Sequence, residues 1–356
     1  MKGSAAVQDV VAKSAERRFL KPFTGEAISP PPMWLMRQAG RYLPEYRATR
    51  KEAGSFLDLC YNPALAAEVT LQPIRRYGFD ASILFSDILV VPDALGQSVR
   101  FAEGEGPRLD PIREVAGLSR LSLSNTGEKF GRVCETVARL RQDLPRETAL
   151  IGFCGAPWTV ATYMVEGRGS TDQAEARGWA YRDPAGFAQL IDILTEASIA
   201  YLTGQIKAGA DVIQIFDSWA GSLADNQFQQ WVVLPTARIV NALKSQYPHI
   251  PMIGFPRGAA SQLAHFVEGT NVDGVSCDTS CPLGVMQSVA AHGVVAQGNL
   301  DPLLLVAGGD ALDRRVDEIL GAMQGRRFIF NLGHGIVPET PPEHVAQLVE
   351  RVRRNG

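Results

Sequence analysis

The stretch Met33-Trp34-Leu35-Met36-Arg37-Gln38-Ala39-Gly40-Arg41-Tyr42-Leu43-Pro44-Glu45-Tyr46-Arg47-Ala48-Thr49-Arg50 sets a pattern that the rest of the chain repeats. Its apolar run, Met33–Met36, reads as a short buried strand, and Gly40 and Pro44 mark a loop after it. Four arginines, two tyrosines and one acid follow the run within a few turns of chain. A guanidinium is always charged and offers a planar fork of donors that matches a carboxylate. Arginines gathered on a loop that leaves a rigid strand therefore point to a site for an anion with more than one charged group. An ordinary solvated basic loop would have the same composition.

Outward from this stretch, short apolar runs alternate with longer amphipathic segments. After Met33–Met36 the strand candidates are Ala81–Ile88, Ala149–Cys154, Asp211–Asp217, Ile250–Phe255, Val272–Asp278, Val294–Gly298 and Arg327–Leu332. Helix-like segments between them include Asn62–Tyr77, Pro184–Ala208, Gln227–Ser245, Ala259–Glu268 and Leu312–Met323. Fully apolar strands alternating with helices predict a parallel sheet covered on both faces. Eight such units in 356 residues favour an α/β fold of the closed (β/α)₈ barrel type in a single domain. Residues 1–31 are expected to hold a short helix and a lead-in ending at Pro30-Pro31-Pro32, and residues 32–356 the barrel. Two excursions interrupt the rhythm, near Val90–Leu118 and Val165–Arg182, and Pro92–Phe101 reads as an inserted hairpin.

Composition excludes several classes. The formal net charge is −3, whereas a nucleic-acid binder normally carries a basic surplus, so no nucleic-acid partner is expected. An anionic ligand must be drawn by a local arginine cluster. Cys60, Cys134, Cys154, Cys277 and Cys281 are odd in number and scattered, which predicts free thiols and a reducing cytoplasm. No apolar run approaches the ~18 residues of a membrane span. The N-terminus lacks the apolar core of a signal peptide, so neither membrane nor export is expected.

In a barrel the active groups sit at the C-terminal strand ends. Those ends deliver Arg37, with Arg41 and Arg50 on its loop; Asp87; Cys154-Gly155-Ala156-Pro157-Trp158, with Tyr163 beyond; and Phe216-Asp217-Ser218-Trp219. They continue with Gly254-Phe255-Pro256, Asp278, Gln297-Gly298-Asn299 and Asn331-Leu332-Gly333-His334-Gly335. The result is a cleft with apolar walls, Phe85, Phe153, Phe216 and Phe255, and a few placed polar groups, the usual form of a small-molecule site. Each polar residue has a structural alternative. Asp87 and Ser218 could cap helices, Tyr163 could pack in the core, and His334 could be structural, although a titratable imidazole at a barrel rim suits a functional role. Cys277 and Cys281 form a C-x₃-C pair without the third and fourth ligands a zinc site needs, so no metal is expected. The glycine patches fit no nucleotide-binding motif.

Met36-Arg37-Gln38-Ala39-Gly40-Arg41-Tyr42-Leu43-Pro44-Glu45-Tyr46-Arg47 is similar to the N-terminal signature of the uroporphyrinogen decarboxylase family. Phe85-Ser86-Asp87-Ile88-Leu89, Gly155-Ala156-Pro157-Trp158-Thr159, Thr162-Tyr163-Met164-Val165-Glu166-Gly167 and Phe216-Asp217-Ser218-Trp219-Ala220-Gly221 resemble further family blocks. Gln297-Gly298-Asn299-Leu300-Asp301-Pro302 and Asn331-Leu332-Gly333-His334-Gly335 continue them in the same order. Where the family often has Gly-Leu-Asp-Trp, this chain has Val275-Ser276-Cys277-Asp278-Thr279, which keeps the acid and loses the aromatic.

The resemblance implies a cytoplasmic, cofactor-free, homodimeric decarboxylase of tetrapyrrole synthesis. It would convert the four acetate arms of uroporphyrinogen III to methyls, giving coproporphyrinogen III and four CO₂. By match to the family motifs, Arg37, Arg41, Asp87, Tyr163, Ser218 and His334 would bind this substrate, with Arg50 a further basic candidate on the same loop. Asp87 and Arg37 would carry the catalysis, and His334 could carry charge. Two rival readings remain on sequence alone. One is a zinc-dependent corrinoid or thiol methyltransferase of the same barrel superfamily, which needs a His-x-Cys element absent here. The other is a tetrapyrrole carrier that binds without reacting.

Overall fold

The computed structural model describes residues 17–102 and 106–355. The helix expected in the lead-in falls partly on residues 1–16, outside the described residues; within the remainder, Arg18–Thr24 forms a 3₁₀ helix. The strands are β1 (Ala81–Ile83), β2 (Val99–Ala102), β3 (Gly106–Leu109), β4 (Ala149–Gly155), β5 (Val212–Asp217), β6 (Met252–Pro256), β7 (Gly274–Ser276), β8 (Val295–Leu300) and β9 (Phe328–Leu332). Seven of them form one parallel sheet in the order β1-β4-β5-β6-β7-β8-β9, and β2 and β3 pair antiparallel. Strand neighbours are thus successive in the chain, the order that a wound barrel requires.

The eighth stave is Met33–Met36. Trp34 N donates to Phe330 O of β9 at 3.4 Å, and Asp80 N, at the foot of β1, donates to Met33 O at 3.0 Å. The segment therefore bridges the two edges of the sheet and closes the barrel, as its apolar run predicts. It does so without a ladder. Met33 N donates to Asp80 Oδ2 at 2.9 Å, Leu35 N to Gln38 Oε1 at 3.1 Å and Met36 N to Asn331 Oδ1 at 3.0 Å. Side chains thus satisfy three of its four amides, which leaves a single bridge, Met33 to Phe330, in place of a strand.

Side chains alternate across the staves. Trp34, Met36, Ala81, Ala149, Ile151, Val212, Ile253, Phe255, Val295 and Ile329 form the inner core, with Phe19 of the lead-in packed among them. Inside the barrel, Trp34 Nε1 donates to Gln297 Oε1 at 2.9 Å, and Gln297 Nε2 donates to Gln214 Oε1 and Ser276 Oγ, each at 3.1 Å. The opposite faces of the strands pack on the helices. Helix boundaries follow local chemistry. Asn62 accepts from Ala64 N and Leu65 N to start Pro63–Tyr77, and Asp183 accepts from Gly186 N to start Pro184–Ala208.

Two expectations shift. β1 ends at Ile83, short of Ile88, because Phe85 N turns to Thr70 Oγ1 at 3.0 Å and Leu89 N to Asp87 Oδ1 at 2.8 Å. The inserted antiparallel pair is real but lies at residues 99–102 and 106–109, while Val90–Leu95 is a helix closed by Gly96 at φ 109°. Gly96 supplies a left-handed conformation that reads equally well as a hairpin turn.

Candidate active site

Asp87 opens the turn that follows β1. Its Oδ1 accepts from Leu89 N at 2.8 Å, so the carboxylate shapes the turn but does not cap the helix Val90–Leu95, whose N-cap is Leu89. Its second oxygen has no hydrogen-bond partner among the described residues. Burial pushes the Asp87 carboxyl above the usual carboxylate range, while the Leu89 N–H and the Arg37 charge pull it down. The carboxylate is therefore a costly anion kept next to one cation.

Arg37 supplies that cation from the end of the first stave. Its backbone is left-handed, φ 60°, a conformation that costs a non-glycine residue about 1–2 kcal/mol. The side chain then runs over Gly335. A β-carbon on Gly335 would stand 2.3 Å from Arg37 Cδ, so the bare glycine is what gives the arginine its path. The guanidinium has no hydrogen bond or ion pair among the described residues.

Tyr163 comes from the helix Pro157–Glu166, which starts on Pro157 and ends at Gly167, φ 76°. A side chain at Gly167 would collide with Leu109 O at 2.9 Å, so this glycine lets the hairpin close on the helix. The Tyr163 ring stands 6.3 Å from that of Trp219. Burial and the Asp87 charge raise its hydroxyl pKa. Trp219 itself is held through Thr159. Thr159 Oγ1 donates to Asp217 Oδ1 at 2.6 Å and accepts from Trp219 N at 3.1 Å. Asp217 is buried, Oδ2 lacks a partner, and burial pushes its carboxyl up to about 7.

His334 follows β9. Its Nδ1 accepts from Gly335 N at 2.7 Å, which leaves Nε2 as the donor. Burial, then the charges of Arg37 and Arg257, bring its pKa down to about 4, with Asp278 opposing. This shift favours the neutral imidazole near pH 7, so the charge that His334 could carry is disfavoured in the folded site. Phe255 meets His334 edge to face at 6.4 Å, Phe216 meets Phe255 at 6.0 Å, and Phe153 meets Phe216 at 5.6 Å. Three of the four predicted wall rings form this run. The fourth, Phe85, packs instead on Tyr46 at 5.7 Å and Phe56 at 5.9 Å.

A cavity of about 350 Å³ opens beside His334, lined also by Ser218, Trp219, Arg257 and Asp278. Ser218 caps nothing; its hydroxyl has no hydrogen bond among the described residues. Arg50 lies on the other flank, on the helix Pro44–Glu52, bonded to Gly54 O with its guanidinium 5.9 Å from the Phe56 ring. Arg41 precedes that helix and is exposed. Asp87, Arg37, Tyr163 and His334 are therefore linked directly by charge, Ser218 shares the cavity with His334, and Arg41 and Arg50 stand apart on the Tyr46 side. Sequence reasoning passed over Arg257. It follows β6 directly, as Arg37 follows the first stave, and the same signal could have found it. Among the described residues no three His, Cys, Asp or Glu side chains gather as a metal-ligand set.

The family model for uroporphyrinogen decarboxylase matches residues 14–355. A uroporphyrinogen decarboxylase of Chelativorans sp. is 56% identical over 341 residues, 95% of this chain and 98% of the relative. That of Mesorhizobium japonicum is 57% identical over 337 residues, 95% of this chain and 98% of the relative. Among solved structures, a methyltransferase from Methanosarcina mazei superposes with a TM-score of 0.76 at 22% identity, covering 94% of this chain and 97% of its own, a likeness of fold.

Proposed function

The chain belongs to the uroporphyrinogen decarboxylase family and is a carboxy-lyase of tetrapyrrole biosynthesis, and from that premise we propose how its site works on uroporphyrinogen. The substrate carries eight carboxylates around a flexible, largely apolar macrocycle. Four acetate arms become methyls, giving coproporphyrinogen III and four CO₂. The rival methyltransferase activity is not favoured, since relatives above half identity over nearly the full chain are decarboxylases.

Loss of CO₂ from an acetate needs an acceptor for the electron pair of the breaking C–C bond. A pyrrole protonated on a ring carbon is such an acceptor. The pair flows into the ring and leaves an exocyclic methylene; a proton on that methylene gives the methyl, and loss of the ring-carbon proton restores the pyrrole. Asp87 accepts hydrogen bonds from the pyrrole N–H groups and, as an anion, stabilises the cationic intermediate. Arg37 holds the reacting acetate. Tyr163, Ser218 and neutral His334 donate to other carboxylates, and Arg41 and Arg50 bind arms on the outer flank.

The observation that carries this assignment is the half-satisfied Asp87 carboxylate, held against its own desolvation beside the unpaired Arg37. Asp87 must be ionised to act, so turnover falls as pH drops through its pKa. Arg37 pulls that pKa down, and Arg37→Gln should move the acid limb of kcat/KM to higher pH. An unmoved limb would show that Asp87 does not set it.

The working form is taken as a cytoplasmic homodimer, with residues 32–356 as the catalytic barrel and residues 1–31 as its lead-in. Sedimentation at micromolar concentration should give twice the mass of one chain.

A further inference from the structure

Arg257 is a cation the site has not yet used. Its main chain is fixed on three sides. Arg257 N donates to Asp217 O at 3.0 Å, Gly221 N donates to Arg257 O at 2.9 Å, and the next amide, Gly258 N, donates to Asp278 Oδ2 at 2.5 Å. The approach to Gly221 is close enough that a β-carbon there would stand 2.4 Å from Gly258 C. The side chain leaves this rigid base half-buried and lines the cavity of about 350 Å³ with Ser218 and His334.

The guanidinium has no hydrogen bond or ion pair among the described residues. Asp278 lines the same cavity but is committed elsewhere. Its Oδ1 takes Ser280 N at 2.7 Å and Ser280 Oγ at 2.5 Å, and its Oδ2 takes Gly258 N. A partly desolvated guanidinium that makes no hydrogen bond, beside a carboxylate already held by neutral donors, is suited to an incoming anion. The cavity lies at the small end of ligand sites, which fits one arm of a macrocycle. Arg37 and Arg257 both bear on His334 and on Tyr163, and of the two only Arg37 bears on Asp87. Arg257 therefore stands farther from Asp87 than Arg37 does.

We propose that Arg257, with the Ser218 hydroxyl beside it, forms a second carboxylate subsite that holds a propionate arm of the tetrapyrrole. This rests on the decarboxylase reading above. A propionate survives all four decarboxylations, so the subsite serves each cycle alike. An acetate there would be consumed as the reaction proceeds.

The test compares wild type with Arg257→Met and Arg257→Gln on porphyrinogens bearing eight and five carboxylates, under anaerobic conditions. A hydrogen-bonded charge pair predicts a rise in KM of about ten- to a hundredfold on both substrates, with kcat little changed. Arg257→Lys should recover most of the loss, and all variants should melt with wild type. Binding of the oxidised, unreactive octacarboxylic porphyrin, followed by fluorescence, should weaken in parallel. Unchanged KM in both neutral variants would overturn the subsite, and a rise confined to the eight-carboxylate substrate would overturn its assignment to a propionate. Should wild type itself remove no carboxylate, the decarboxylase reading fails instead.

Discussion

Asp87→Asn separates electrostatic stabilisation from mere shape. The amide keeps the oxygen that accepts from Leu89 N at 2.8 Å, so the turn after β1 survives. The fold gains if anything. Because burial raises the folded-state pKa of this carboxyl, its contribution to stability is lost as pH rises through that pKa, and a neutral side chain removes the penalty at pH 7. Turnover should behave oppositely. A carboxylate about 4 Å from a protonated pyrrole, at an effective dielectric of about 20, stabilises the cation by about 4 kcal/mol. At about 1.4 kcal/mol per decade this is about a thousandfold in rate. The assay is single-turnover decarboxylation of uroporphyrinogen, with products separated by carboxyl number, beside a thermal melt of the same sample. A loss below tenfold with an unaltered melt would refute an anionic role for Asp87.

Other consequences follow from particular contacts. Gly335→Ala places a methyl 2.3 Å from Arg37 Cδ, so the arginine must move, and kcat/KM should fall tenfold or more with little change in melting temperature; wild-type kinetics would contradict this. Thr159→Val removes the hydroxyl that joins Asp217 to Trp219 N, and should cost about 1–3 kcal/mol in denaturant unfolding and loosen substrate binding. An unshifted unfolding midpoint would mean that the Thr159 bonds contribute nothing. His334, with a pKa of about 4 when folded, takes up its proton more readily once unfolded. Stability should therefore fall as pH drops from about 6.5 towards 4, and fall less in His334→Asn; parallel pH profiles would contradict a neutral, buried imidazole.

The barrel was largely legible because each stave is an apolar run facing two layers. Val212–Asp217 and Phe328–Leu332 differ from expectation only at their ends. The first stave was legible in place but not in form, since nothing in Met33–Met36 says that its amides will turn to Asp80, Gln38 and Asn331. The hairpin was displaced because a helix ending on Gly96 and a tight turn share one residue signal. At the site, strand ends gave Arg37, Asp87, Ser218 and His334. The lowered pKa of His334 depends first on its burial and then on two guanidiniums brought together from distant loops, and no local pattern carries that. The Thr159–Asp217–Trp219 link likewise exists only once β4 and β5 stand side by side, and the setting of Arg257 only once β5 and β6 do.

On the mechanism proposed, this chain removes acetate carboxyls with its own side chains and the pyrrole as electron acceptor. Anaerobic incubation with uroporphyrinogen III and excess chelator, with porphyrin carboxyl number followed by chromatography, tests it most directly. The porphyrin should pass from eight carboxylates to four, unaffected by chelator. Binding without carboxylate loss, or activity that disappears with the chelator, would contradict it.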